Sequence, residues 1–200
     1  MKRLSSSLAA ILMVGWIAGG VVAEEKKPET KSEAKEQGKP SKSEAKREEI
    51  DAMAKESLDR VLKESEGAKG LYDRAAGYAV FDNMKFTFVL SGGGGVGVAV
   101  DKDSGKRTYM KMGTAGVALG LGGQKYQIVF LFESEDRLTS FVEKGWQADA
   151  NASAVAGNKG VNAGATFHDG VAFYVLTEAG LMLSADISGT KYWKHDKLNG

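Results

Sequence analysis

Residues 92–101 read Gly-Gly-Gly-Gly-Val-Gly-Val-Ala-Val-Asp, and the fold class turns on how this run is read. It contains the G-x-G-x-x-G spacing of a dinucleotide-binding loop. That chemistry needs the glycines between a strand and a helix, so that the helix N-terminus meets the pyrophosphate. Here Val98-Ala99-Val100-Asp101 follows and a turn comes next, which is a strand pattern. The Lys-Ser/Thr pair that would complete a phosphate loop is missing as well. The run therefore predicts a glycine-rich bend between two strands, and the chain around it an antiparallel β system.

Working outward, short apolar segments recur on both sides: 77–81 (GYAVF), 86–91 (FTFVLS), 96–101, 107–112 (RTYMKM), 115–121 (AGVALGL) and 125–132 (KYQIVFLF). After a break come 146–155 (WQADANASAV), 161–167 (VNAGATF), 171–176 (VAFYVL) and 181–187 (LMLSADI). Asp103-Ser104-Gly105 and Asp169-Gly170 are hairpin turn signals between such segments. Ala148, Ala150, Ala152 and Ala154 share one strand face, and Ala118 and Gly120 alternate with Val117, Leu119 and Leu121. Small residues on one face fit tightly curled or closely stacked sheets. One helix interrupts the series, with Ser134 as N-cap, Leu138, Phe141 and Val142 as its buried stripe, and Gly145 as its stop.

Upstream, Ile50, Met53, Ala54, Leu58, Val61 and Leu62 fall at helical spacing, with Gly67 and Gly70 as stop signals. This predicts an amphipathic helix over 48–66, whose apolar stripe either packs on the following domain or lies on a bilayer surface. Residues 24–47 carry eight Lys+Arg, six Asp+Glu and both prolines, with no large apolar residue. Such a segment buries too little apolar surface to offset its conformational entropy, so it is expected to be a disordered, charged linker. Residues 1–23 have Lys2 and Arg3, an apolar run from Leu8 to Val22, and Val21-Val22-Ala23 before a charged stretch. These are the features of a signal peptide, and they imply export to the periplasm or cell envelope. An uncleaved membrane anchor is the rival reading, with an apolar core short of the roughly 20 residues that a spanning helix needs. The expected organisation is a signal peptide (1–23), a linker (24–47) and one domain (48–200). Its fold class is α+β and β-rich: an N-terminal amphipathic helix with curled antiparallel sheets, sandwich or barrel-like, and one internal helix.

Composition narrows the chemistry. The 200-residue chain has no Cys and two His, so thiolate nucleophiles and Cys-ligated metals are excluded and multi-His sites are disfavoured. With 27 Lys+Arg against 26 Asp+Glu, it lacks the basic balance of a nucleic-acid binder. Asp101-Lys102-Asp103-Ser104-Gly105 starts like a calcium loop, but the glycine is one residue early and Met112 stands where a bidentate Glu is needed. His168 beside Asp169 has no nucleophile to serve, and His195 lies in a polar tail. No enzyme and no cofactor is expected. Lys102, Lys106, Arg107 and Lys111 flank one hairpin and are candidates for a phosphate or acidic-headgroup patch.

Several segments in order carry a family resemblance: Ala68-Lys69-Gly70-Leu71, Ala76-Gly77-Tyr78-Ala79-Val80-Phe81, the glycine run 92–97 and Gly113–Gln124. Val129-Phe130-Leu131-Phe132 and, most specifically, Ala148-Asp149-Ala150-Asn151-Ala152-Ser153-Ala154-Val155-Ala156-Gly157 extend it. From about Ile50 to Lys194 the chain resembles a SYLF domain, a lipid-binding module whose name is also tied to an actin-binding yeast member. The resemblance implies a non-enzymatic module that binds anionic phospholipid headgroups at a membrane surface. Its lipid-binding residues would be Lys63, Lys69, Arg74 and Lys85 on and after the N-terminal helix. Actin is not expected as a partner of an exported protein. An envelope protein bound through the β surface is the alternative partner.

Overall fold

The computed structural model describes residues 40–87, 90–117, 122–147, 166–182 and 189–200, so the readings of residues 1–39, 88–89, 118–121, 148–165 and 183–187 lie outside the described residues. Helix α1 (Lys42–Glu64) starts six residues before the expected position, because Ser41 and Glu44 form a capping box. The Ser41 hydroxyl accepts from the Glu44 amide (3.2 Å), and the Ser41 amide donates to the Glu44 carboxylate (2.7 Å). Residues 42–47, read as linker, are thus helical. Ser65 ends the helix: its amide donates to Val61 O (3.0 Å), while its hydroxyl accepts from the Ala68 amide (3.1 Å) and caps α2 (Glu66–Arg74). Gly67 and Gly70, read as stops, lie inside α2.

The strands are β1 (Gly77–Thr87), β2 (Leu90–Asp101), β3 (Arg107–Val117), β4 (Gly122–Phe132), β5 (Trp146–Gln147), β6 (Val171–Thr177), β7 (Gly180–Leu181) and β8 (Thr190–Lys194). They form one antiparallel sheet in the order β5-β8-β3-β2-β1-β4-β6-β7. The glycine run is not a bend between strands. Gly92–Gly97 sit in mid-β2, paired with Phe86 to Phe81 on β1 and with Ala115 to Met110 on β3. Segments read as separate strands therefore fuse into three long hairpin arms. Both turn signals form turns: Gly105 has φ +68°, and Asp169 and Gly170 have φ +50° and +75° between His168 and Val171, which exchange backbone hydrogen bonds. Helix α3 (Glu135–Lys144) is capped by Ser134 and ended by Gly145 (φ +71°), as expected, and α4 (Asp196–Asn199) closes the chain.

The sheet is buried on both faces, so each central strand alternates between two cores. On the outer face Val80, Val98, Val129 and Leu131 meet Ile50, Ala54, Leu58 and Val61 of α1 and Ala68 and Leu71 of α2. On the inner face Phe81, Met110, Met112, Ile128, Phe130 and Tyr192 meet Leu138 and Phe141 of α3. The inner face is concave. Phe130 on β4 and Tyr192 on β8 lie four strands apart, about 19 Å in a flat sheet, yet their ring centroids are 5.1 Å apart. Phe81 reaches Tyr192 as well, at 4.8 Å. The sheet is a curled half-barrel.

Glycine permits the curl. A Cβ on Gly97 would come within 2.1 Å of Val80 O and 2.5 Å of the Phe81 ring, and one on Gly95 within 1.9 Å of Asp82 O. At Gly94 and Gly92 the nearest atoms would be carbonyl oxygens at 3.4 and 4.0 Å, which is ordinary contact. Gly97→Ala is expected to destabilise the domain by about 3 kcal/mol through overpacking, whereas Gly94→Ala should be neutral or stabilising by up to about 0.5 kcal/mol. Urea unfolding of the two variants checks this, and equal midpoints would refute it.

Candidate functional site

The sequence offers two basic groups, and the fold treats them differently. Lys63 lies in the last turn of α1, and Lys69 and Arg74 lie on α2. All three are exposed, and none forms an ion pair among the described residues. Arg74 holds its guanidinium against its own helix, donating from Nε to Gly70 O (3.2 Å), and over the Phe167 ring at 5.9 Å. Lys85 is placed apart from them. It sits in β1 opposite Gly93 and Gln124, eight residues beyond Gly77, or about 26 Å along the strand from the end that α2 joins.

The hairpin group does not converge. Lys102 turns inward and donates from Nζ to Tyr72 O (2.6 Å) and Ala75 O (2.9 Å), with the Tyr72 ring 4.4 Å away. It closes the C-terminus of α2, where carbonyls lack helical partners. Arg107 faces Asp51 of α1 at 3.6 Å. The turn itself is held by Asp101, whose carboxylate accepts from the Ser104 amide (2.7 Å) and hydroxyl (2.8 Å). Those bonds, the amide first, hold Asp101 below the usual carboxylate range. This is the hairpin turn of the sequence reading, occupied by its own hydrogen bonds.

The apolar stripe of α1 is docked. Val61 is wholly buried, and Ile50, Ala54 and Leu58 are each at most 5 % exposed. Of the two placements open to the stripe, packing on the domain is the one observed. What α1 and α2 offer to the outside is their charged side. The shallow groove along α1, about 420 Å³, is lined by Ala52, Lys55, Glu56, Asp59, Arg60 and Lys63. Its charges are mixed, and Lys55 and Asp59 pair across it at 2.6 Å.

Sequence reasoning missed Trp193. This side chain is 45 % exposed and lies over Gly113, where a Cβ would stand 3.1 Å from the indole. Lys111 is opposite Trp193 in the β3–β8 register, and Lys191 is opposite Gly113. Alternation shows why: Tyr192 faces the core, so Trp193 faces out. Among the described residues neither histidine has a side-chain hydrogen-bond partner. His195 precedes α4 with its Nδ1 buried and, among the described residues, unpartnered, and burial, then Lys111, lower its pKa. Among the described residues no group of three His, Cys, Asp or Glu could hold a metal, and no helix is long and apolar enough to cross a membrane.

Residues 113–200, which hold the end of β3, all of β4 to β8 and the α3 cap on the concave face, match the family model Ysc84, described as Las17-binding protein actin regulator. These residues belong to the Ysc84, or SYLF, family. Beta cell expansion factor A of Aeromonas veronii is 47% identical over 144 residues, covering 72% of this chain. The matched stretch is 55% of that protein, so the chain spans about half the length of this relative. SYLF membership of residues 113–200 supports a lipid- or protein-binding module at the coarse level. Within that SYLF fold Lys102 is structural. Lys102→Met should cost about 1–2 kcal/mol by leaving the Tyr72 and Ala75 carbonyls without their charged donor, with lipid or protein binding unchanged; thermal unfolding beside a binding assay reads both.

Proposed function

We propose that this chain is a non-enzymatic module of the periplasm or cell envelope that binds the anionic headgroups of a membrane surface. Residues 1–23 would direct export, and the charged segment that follows would carry the domain. Lys63, Lys69 and Arg74 are the headgroup contacts, and Lys85 of β1 is a further candidate. The observation that carries this reading is the state of the α1–α2 layer. Its apolar stripes are turned into the core, while three exposed cations stand on its outside without ion pairs among the described residues. Binding of this kind is peripheral and electrostatic, so it weakens with salt.

The test is co-sedimentation of residues 24–200 with phosphatidylglycerol and phosphatidylcholine vesicles at low and high salt. Binding to the anionic vesicles alone, lost at high salt, is expected. Each lysine or arginine near an anionic surface contributes about 1 kcal/mol, so the Lys63→Ala, Lys69→Ala, Arg74→Ala triple variant should lose most of it. Unchanged binding by that variant would remove the site assignment.

A second reading rests on Trp193. An exposed indole laid on a glycine and flanked by Lys111 and Lys191 is the kind of anchor that dominates protein interfaces. An envelope protein would then dock on the outer sheet face. Trp193→Ala should abolish a discrete crosslinked protein adduct in the native envelope while leaving vesicle binding intact; the reverse pattern would exclude this reading.

A further inference from the structure

Trp193 on the outer face of the sheet and an open cleft on the concave face are two features that the fold itself does not use. Trp193 is 45% exposed, with its indole resting on Gly113. Lys111 stands opposite Trp193 and Lys191 opposite Gly113 in the β3–β8 ladder, so both lysines share its face. Neither has an ion pair among the described residues. The cleft lies between the β2–β3 turn and α3 and measures about 250 Å³. Buried Ala99 and Leu138 with half-buried Val142 form its apolar floor, and exposed Asp103 and Glu135 stand at its rim. The other carboxylates there are already engaged. Asp101 accepts twice from Ser104, and Glu143 pairs with Lys194 at 2.6 Å. The charge of Lys106 acts on those same two groups. Asp103 and Glu135 have no ion pair among the described residues. Two unpaired cations thus flank an exposed aromatic ring, and two unpaired carboxylates flank an apolar hollow. Size agrees as well: a cavity of roughly 150 Å³ admits a benzene ring, so this cleft admits an indole.

We infer that the cleft receives a second copy of this chain: Trp193 of one copy enters the hollow over Ala99, Leu138 and Val142 of the next, while Lys111 and Lys191 meet Asp103 and Glu135. The second copy is the partner in the reading where Trp193 anchors a protein, and the self-contact rests on that reading. Strand β8 fixes the geometry of the assembly. Trp193 points to the outer face, and its neighbour Lys194 points to the concave face, where it reaches Glu143 at the cleft. Knob and cleft therefore face opposite ways. Two copies cannot exchange knobs reciprocally, as a two-fold dimer would require, so each contact leaves one knob and one cleft free. Such a contact is heterologous and propagates head to tail. Its charged rim is solvent-exposed and weakens with salt, and its aromatic centre carries most of the affinity.

Sedimentation velocity of the full-length chain, over a range of protein and salt concentrations, tests this. Species larger than the monomer are expected, growing with protein concentration and receding at high salt. Trp193→Ala removes the knob, and the Asp103→Lys, Glu135→Lys double variant closes the cleft. Each should weaken association by about thirtyfold. Mixed together, the two variants should form a one-to-one dimer that grows no further, because one intact knob and one intact cleft remain between them. If Trp193→Ala does not fold, the Lys111→Glu, Lys191→Glu double variant takes its place. A wild type that stays monomeric, a Trp193→Ala chain that assembles like wild type, or a mixture without a dimer would overturn the proposal. Crosslinking in the native envelope separates the self-contact from the reading beneath it. A Trp193-dependent adduct of two copies supports both. A Trp193-dependent adduct with a different protein, from a chain monomeric in solution, overturns the self-contact and leaves that reading standing. Loss of vesicle binding by Trp193→Ala, with no adduct in wild type, overturns both and makes Trp193 a membrane contact.

Discussion

The close approach of β2 to β1 at Gly95 and Gly97 is the constraint on which the rest depends. Carbonyls of Asp82 and Val80 occupy the volume where Cβ atoms would stand. With the two backbones this near, the sheet curls enough for aromatic rings on β4 and β8 to touch across its concave side. Phe81, Phe130, Phe141, Trp146 and Tyr192 then form one packed cluster with centroids 4.8 to 6.2 Å apart. Several of these pairs are edge-on, the arrangement that ring quadrupoles favour. The entropy given up by ordering a glycine-rich strand is offset by the aromatic burial that the curl allows.

Much of this was legible in the sequence because it rests on local chemistry. Ser134 and Gly145 bracket α3, and Asp169-Gly170 adopts two positive φ values, since those residues perform these tasks wherever they occur. The apolar segment 125–132 read as a strand and is one, β4, and the curled antiparallel fold class is the one observed. Legibility failed where local signals competed with pairing. Gly92–Gly97 read as a bend because glycine weakens an isolated strand, yet β1 and β3 flank β2 on both sides and supply every ladder bond. Gly67 and Gly70 read as stops, whereas Ser65, with a hydroxyl able to cap the next helix, made the break two residues earlier.

The candidate site was legible in its residue types but not in their placement. Lys63, Lys69 and Arg74 are exposed, as surface cations usually are. Nothing in the spacing of Lys102 distinguished it from Lys106, since the difference lies in where α2 ends, above the hairpin. Trp193 was missed because only the alternation that buries Tyr192 shows that the next side chain faces out.

The docked stripe of α1 has one more consequence. Ile50, Leu58 and Val61 would partition into a bilayer as readily as into a protein core, so the sheet and the membrane are competing solvents for the same side chains. Transfer of each from water is worth roughly 1.5–3 kcal/mol in either phase. Moving α1 from one to the other gains almost nothing for its own residues, while it strands Val80, Val98, Val129 and Leu131 in water. The exchange is uphill by the exposed area of the sheet alone. A helix whose apolar stripe, read by itself, leaves a bilayer surface open is, in this protein, the lid of its own core.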